Sequence, residues 1–278
     1  MTGRAATWEL SCRTLSLARP LVMGILNVTP DSFSDGNRFF TLDGAVERAL
    51  EMEREGADII DIGGESTRPG APAVHLAEEL HRVVPVVEAL AGKLRVPISV
   101  DTYKSEVARA ACSAGAEIVN DVSGLCFDPA MAEVVAGIDA GLVLMHTRGR
   151  PDRMQSETGY HDLIAEVKGY LSDSLARAGD AGVKASRIAI DPGIGFGKSV
   201  EGNLELIRRL SEFLKFGLPI LVGPSRKSFI GGVLGGGRDR LFGTAAAVAV
   251  SILNGASIVR VHDVAAMRDV ADMTRALS

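Results

Sequence analysis

Eight apolar runs in this sequence end on side chains that bond, titrate or carry charge. LVMGIL stops at Asn27, ADII at Asp61, VPISV at Asp101, AEIV at Asn120 and Asp121, GLVLM at His146, RIAI at Asp191, PILVG ahead of Ser225 and Lys227, and SIV at Arg260. A buried carboxylate is costly unless it is paired or hydrogen-bonded, so Asp61, Asp101, Asp121 and Asp191 each need a partner. For Asp101, followed by Thr102 and a helical stretch from Lys104, a helix cap is an open alternative. Asp191 lacks that simple role, because Pro192 has no N–H and a fixed φ. A cluster of Asp, Asn and Lys suits a ligand with alternating donors and acceptors, such as an aminopyrimidinone ring. Carboxylate and amide oxygens would accept its N–H groups, while Asn120 and Lys227 would donate to its carbonyl and ring nitrogens.

A second group suits anions. Arg260 and His262 are one strand period apart and would point the same way. With Arg68 and Asn27 they could hold a diphosphate and Mg²⁺, an ion that takes few protein oxygens and fills its shell from phosphate and water. Alone, an Arg-x-His pair reads equally well as a surface salt bridge; the other run ends favour the anion site. DPGIGFGKS (191–199) is neither a dinucleotide nor a P-loop pattern. Its glycines let a strand turn tightly into a helix with Phe196 exposed to a flat ligand. His75, His81 and His161 lack metal spacing and read as structural, and no Cys-His or Ser-His-Asp nucleophile stands out.

For residues so far apart to meet, the runs must be strands of one closed parallel sheet, whose carboxyl ends open on a single face. The expected fold is a single-domain α/β (β/α)8 TIM barrel. A chain of 278 residues, 46% hydrophobic with one Trp and three Tyr, fits a core of Ala, Val, Ile and Leu. Residues 7–18 alternate weakly and suggest a hairpin across the barrel floor, giving an N-terminal extension at 1–19 and the barrel at 20–278. Polar loops follow the first two strands, at 28–40 and 63–74. Helices are expected from Leu42, with Thr41 or Asp43 as cap, and over 76–90, 104–114, 129–136, 160–181 and 203–213, with Gly115, Gly137 and Gly182 as stops. Residues 243–254 (GTAAAVAVSILN) are apolar nearly all round, which a barrel's outer helix is not unless something covers it; a symmetric homodimer is the favoured cover, a terminal extension the alternative.

A net charge of −5 argues against nucleic acid and membrane surfaces as partners. Three cysteines without metal-finger spacing, no export signal and no span of ~20 apolar residues point to a reduced, cytoplasmic protein.

The motifs MGILNVTPDSFSDG (23–36), DIGGESTRPGA (61–71), SVDT (99–102), NDVSG (120–124), LMH (144–146), DPGIGFGK (191–198), SRKSF (225–229) and RVHDV (260–264) together resemble the dihydropteroate synthase family, from residue 20 onward. Asn37 and Pro224 are small departures. The resemblance implies a transferase of folate biosynthesis that joins 6-hydroxymethyl-7,8-dihydropterin diphosphate to 4-aminobenzoate, with Mg²⁺, by SN1-like loss of diphosphate. By motif position, Asp101, Asn120, Asp191 and Lys227 would hold the pterin with Met145 near its ring. Asn27 would contact Mg²⁺, and Arg68, Arg260 and His262 the diphosphate. Thr67, Pro69, Phe196, Lys227 and Ser228 would surround the aminobenzoate, where sulfonamides would compete. The catalytic group implied is Lys227, Asp101, Asp191, Asp35 and Arg68. A methyltetrahydrofolate-corrinoid methyltransferase-type barrel shares the fold but has no use for the STRPG and SRK motifs; a non-catalytic pterin-binding paralogue is the other alternative.

Overall fold

The structure, a computed structural model, is described for residues 5–29, 41–68 and 70–278. Two short strands, β1 (Thr7–Glu9) and β2 (Thr14–Ser16), pair antiparallel. They precede β3 (Leu21–Asn27), β4 (Ile59–Gly63), β5 (Ile98–Asp101), β6 (Ile118–Asp121), β7 (Gly141–Met145), β8 (Ile188–Asp191), β9 (Leu221–Val222) and β10 (Ile258–Val261). Among the described residues these last eight form one parallel sheet in the order β8-β7-β6-β5-β4-β3-β10-β9. A parallel bridge from Ile190 to Ile220 links its two edges, so the sheet closes on itself as the expected barrel.

Around it lie α1 (Leu42–Arg54), α2 (Leu76–Leu90), α3 (Ser105–Ala114), α4 (Met131–Ile138), α5 (Leu163–Asp180), α6 (Val200–Arg208), α7 (Ser228–Leu234), α8 (Leu241–Leu253) and α9 (Val264–Ala276). Their ends follow local capping chemistry. Thr41 accepts from the Gly44 N–H at 3.1 Å and starts α1, as the sequence suggests. Asp162 accepts from Ala165 at 3.0 Å, so α5 begins at Leu163 and not near Tyr160. The Ser105 N–H at the start of α3 bonds to Asp128 at 2.8 Å, which removes the capping alternative for Asp101. Gly137 is not a stop: α4 runs on to Ile138 and ends with Asp139 left-handed at φ 56°. The 203–213 segment divides into the end of α6 and a 3₁₀ turn over Leu210–Phe216.

The barrel interior is layered by the strand period of two. Its lower layer is apolar, with Leu21 and Met23, Ile59, Ile118, Val143, Ala189, Leu221 and Ile258 in one cluster. Trp8 and Leu10 of the β1–β2 hairpin join that cluster from below, and the Trp8 indole donates to the Arg187 carbonyl at 2.8 Å. Gly141 admits this plug: a Cβ there would lie 2.5 Å from Leu10 Cδ2. Two residues further along, the same strands present Ile25, Asp61, Asn120, Met145, Asp191, Gly223 and Arg260, and the layer becomes polar on β4, β6, β8 and β10.

Outside the barrel, α8 buries Thr244, Val248, Ser251 and Ile252. Its far side exposes Phe242, at 82%, with Val250 and Leu253, beside Met273 and Leu277 at the chain's end. Among the described residues no helix is long and apolar enough to cross a membrane.

Candidate active site

The polar layer is a connected ring. Asp61, fully buried on β4, accepts from Asn120 Nδ2 at 3.1 Å and from Arg260 Nε at 2.5 Å. The same guanidinium donates to Asp101 Oδ2 at 2.6 Å. Arg260 therefore already bridges two carboxylates, a role that the sequence reading, which gave it to an anion, leaves out. Asp61 Oδ1 has no partner among the described residues, so the ring keeps a surplus acceptor. Asp121 faces away from this work: its carboxylate accepts from Ser123 and Leu125 N–H groups, each at 2.8 Å, and shapes the loop after β6.

Asp191 Oδ1 accepts from the Gly193 N–H at 2.7 Å, a tight turn that begins the 191–199 loop. Only glycine fits at 193, where φ is +75° and a Cβ would sit 1.9 Å from the His146 carbonyl oxygen. Lys198 is not a nucleotide ligand. Its buried Nζ bonds to the Gly193 and Phe196 carbonyls, both at 2.8 Å, and lies 2.9 Å from His146 Nδ1, stapling the loop to β7. Phe196 is 7% exposed, not open as expected, because it packs with Tyr103, Val122, Met145 and Met154. It still borders the cavity, with Lys227 Nζ over its ring at 4.3 Å from the centre.

Lys227 hangs from the turn after β9. Arg226 is held left-handed at φ 57°, and its N–H donates to Thr244 on α8 at 3.1 Å. A non-glycine residue in that conformation costs energy and persists only when its surroundings impose it. The turn directs Lys227 Nζ to the Ile194 carbonyl. Ser225 accepts from the His262 N–H at 3.2 Å and lies 3.0 Å from its Nδ1, fixing the ring.

These elements enclose a cavity of about 480 Å³, within the usual range for small-molecule sites. Asn27, Thr67, Arg68, Phe196, Lys227, Ser228, Arg260 and His262 all line it. Asp101, Asn120, Met145 and Asp191 do not line it but adjoin residues that do: Arg260 bonds Asp101 and, through Asp61, reaches Asn120; the Lys227 charge acts on Asp191; and Met145 packs with Phe196. Asp35 and Pro69, two further sequence-derived candidates, lie outside the described residues.

Burial dominates the electrostatics. It pushes Asp101 up to about 7 despite Arg260, and it also raises Asp191 against the pull of Lys227. Burial lowers Lys227 to about 8, with Asp191 opposing. His262 falls to about 4 through burial and the neighbouring Arg260 charge, so it is neutral at pH 7 and offers a hydrogen bond where the sequence suggested charge. Burial opposes the Arg260 charge too, but Asp61 and Asp101 outweigh it and hold the guanidinium protonated.

Asp61 was visible in the sequence as a strand end, but its place as the hub needed the ring.

Comparison with known proteins extends this geometry. A family model described as pterin binding enzyme matches residues 23–262. The dihydropteroate synthase of Synechocystis sp. is 50% identical over 261 residues, 93% of this chain and 90% of that one. The Yersinia pestis dihydropteroate synthase, solved as a sulfonamide drug complex, superposes with a TM-score of 0.92 at 43% identity, covering 98% of both chains. The Xanthomonas albilineans dihydropteroate synthase, solved with 4-aminobenzoic acid, does so with a TM-score of 0.92 at 44% identity, again over 98% of both.

Proposed function

The chain belongs to the pterin binding enzyme family, among its dihydropteroate synthases, and on that premise we propose how its site joins 6-hydroxymethyl-7,8-dihydropterin diphosphate to 4-aminobenzoate. It is a transferase of folate biosynthesis. The observation that carries the residue-level reading is the ring of buried acceptors bridged by Arg260 beneath a cavity lined with cationic side chains.

The pterin enters the deep ring. Asp191, Asp101 and Asn120 accept its N–H groups, Lys227 donates to its carbonyl and ring nitrogen, and Met145 packs against its face. The diphosphate lies above, toward Arg68, His262 and Arg260. A guanidinium has five N–H donors, so Arg260 keeps donors for an anion while bonded to Asp61 and Asp101. Among the described residues no three His, Cys, Asp or Glu side chains form a metal set. Asn27 on the cavity wall offers one hard oxygen, a donor that suits Mg²⁺ when phosphate and water supply the rest. Bound there, Mg²⁺ would offset charge on the departing diphosphate.

The bond from the exocyclic methylene carbon to the diphosphate oxygen breaks with both electrons leaving on oxygen. The electron-rich dihydropterin spreads the resulting positive charge, so cleavage runs ahead of attack. The amine lone pair of 4-aminobenzoate then forms the C–N bond, and the nitrogen releases one of its two protons to water or the released diphosphate. That amine is neutral at pH 7 and needs no strong base; the protein orients it and excludes water from the cation. Thr67, Phe196, Lys227 and Ser228 border the aminobenzoate. Sulfonamides compete in the aminobenzoate pocket.

Purified protein, Mg²⁺, the pterin diphosphate and 4-aminobenzoate should yield dihydropteroate and diphosphate in equal amounts. Diphosphate released without coupled product would identify a pterin sink and overturn the reading.

The exposed apolar strip of Phe242, Leu253, Met273 and Leu277 is the proposed contact of a symmetric homodimer. Light scattering should return twice the chain mass, and Phe242→Glu should shift it to monomer; a monomeric wild type at micromolar concentration would sink the dimer. Cys12, Cys112 and Cys126 form no disulfide, in keeping with a cytoplasmic location.

A further inference from the structure

Behind the loop that follows β4 sits a polar cluster that the reaction above does not use. Glu65, two residues past the strand, is 7% exposed, and its carboxylate takes three donors. Oε1 accepts from the Tyr103 hydroxyl at 2.5 Å. Oε2 accepts from Lys104 Nζ at 2.5 Å and from the Val74 N–H at 3.2 Å. Lys104 Nζ also donates to Glu79 on α2. The other Glu79 oxygen accepts from the Thr102 hydroxyl at 2.7 Å. Two buried carboxylates thus share one ammonium, and neutral donors must satisfy the remaining oxygens. The Val74 N–H is one of those donors.

The geometry ties both ends of a loop to the rigid barrel. Tyr103 and Lys104 follow β5 directly, and the Tyr103 ring is edge-packed on Phe127 at 5.4 Å. Among the described residues between Glu65 and Val74 the chain has no helix or strand, and it is held by single hydrogen bonds. They include Arg68 N–H to Ser66 Oγ at 3.4 Å, Ala71 N–H to the Arg68 carbonyl at 3.0 Å, and Gly70 N–H to the Pro151 carbonyl at 3.2 Å. Ser66, Thr67 and Arg68 line the cavity; Glu65 does not. Ordering such a loop costs conformational entropy, and a charged acceptor that bonds both its ends offsets that cost more than a neutral one would.

We propose that Glu65, held by Tyr103 and Lys104, is a positioning residue that cinches the loop following β4 and thereby sets Thr67 over the aminobenzoate side of the cavity. This deepens the reading of the site given above and rests on it. A loosened loop weakens capture of the second substrate while the pterin pocket, whose Asp101, Asn120 and Asp191 stand within β5, β6 and β8 and not on this loop, stays formed.

The test compares wild type with Glu65→Gln and Tyr103→Phe. For Glu65→Gln the KM for 4-aminobenzoate should rise at least tenfold, with kcat within threefold of wild type. The Kd for 6-hydroxymethyl-7,8-dihydropterin, measured by calorimetry, should stay within twofold. Tyr103→Phe keeps the ring packing and should raise the same KM about threefold; it decides the question if the Gln variant does not fold. Hydrogen exchange over 66–74 should accelerate in each folded variant. An unchanged KM in a folded variant, with or without a lower Tm, means a merely structural cluster and overturns the proposal, as does a parallel loss of pterin affinity. Failure of wild type to make dihydropteroate would instead overturn the proposed function, so the two failures are read from different proteins.

Discussion

The two layers of the barrel interior share the same strands and face the same way, yet they do opposite work. Ile59 and Asp61, Ile118 and Asn120, Ala189 and Asp191, and Ile258 and Arg260 are pairs two residues apart on β4, β6, β8 and β10. The lower member of each pair belongs to the apolar cluster that the hairpin plug completes. In β4, β6 and β10 the upper member enters the ring of carboxylates, amide and guanidinium, and in β8 Asp191 orders the loop beside it. The apolar layer gains from leaving water, whereas the polar layer costs energy in isolation and is tolerated because Arg260 and Lys227 compensate it. The floor therefore carries stability, and the mouth spends part of it on readiness to bind.

That division is open to attack from both sides. Trp8→Ala removes the largest plug residue and its bond to the Arg187 carbonyl, and should cost about 3–5 kcal/mol in denaturant unfolding. Its kcat/KM per folded molecule should stay within twofold; a selective loss of turnover would break the comparison. Lys227→Ala and Asp191→Asn should do the reverse. Each should cut turnover a hundredfold or more, roughly 3 kcal/mol in the barrier, with little change in Tm, and near-normal activity in either would refute the pterin-site assignment. Gly141→Val pushes a side chain into Leu10 and should lose roughly 1–3 kcal/mol of stability without touching KM for either substrate.

The smallest effect sharpens the comparison through pH. Burial raises Asp101 to about 7, so its charge disappears as pH falls through that value. Burial lowers Lys227 to about 8, so its charge disappears as pH rises through that value, well before an ordinary lysine would titrate. The kcat/KM for the pterin diphosphate should therefore peak between about 7 and 8 and fall several-fold within one unit on either side. Lys227→Arg should carry the alkaline limb upward; a limb that stays put would assign it to another group.

Strand ends were the most legible part of the site, because apolar runs that stop at Asp, Asn, Lys or Arg mark both a strand and its open end. Capping followed local rules at Thr41, while the alternative of a cap at Asp101 fell away because the Ser105 N–H was met by Asp128, far along the chain. Phe196 read as exposed because glycines flank it, but the loop folds it against Met145 and Met154. Glu65 carried no signal, for a carboxylate inside a polar loop looks solvated until the tyrosine and lysine of a neighbouring strand end cover it.

By itself the sequence determined the number and spacing of the strands, the side chains at their ends and the anionic and ring-like chemistry these could serve, because period, polarity and residue type are local properties. Tertiary structure alone decided which charges meet: that Arg260 binds Asp61 and Asp101, that His262 is neutral, and that Glu65 ties a loop to the next strand. Those outcomes depend on distance and burial across barrel closure, and Coulomb energy and desolvation change steeply with both.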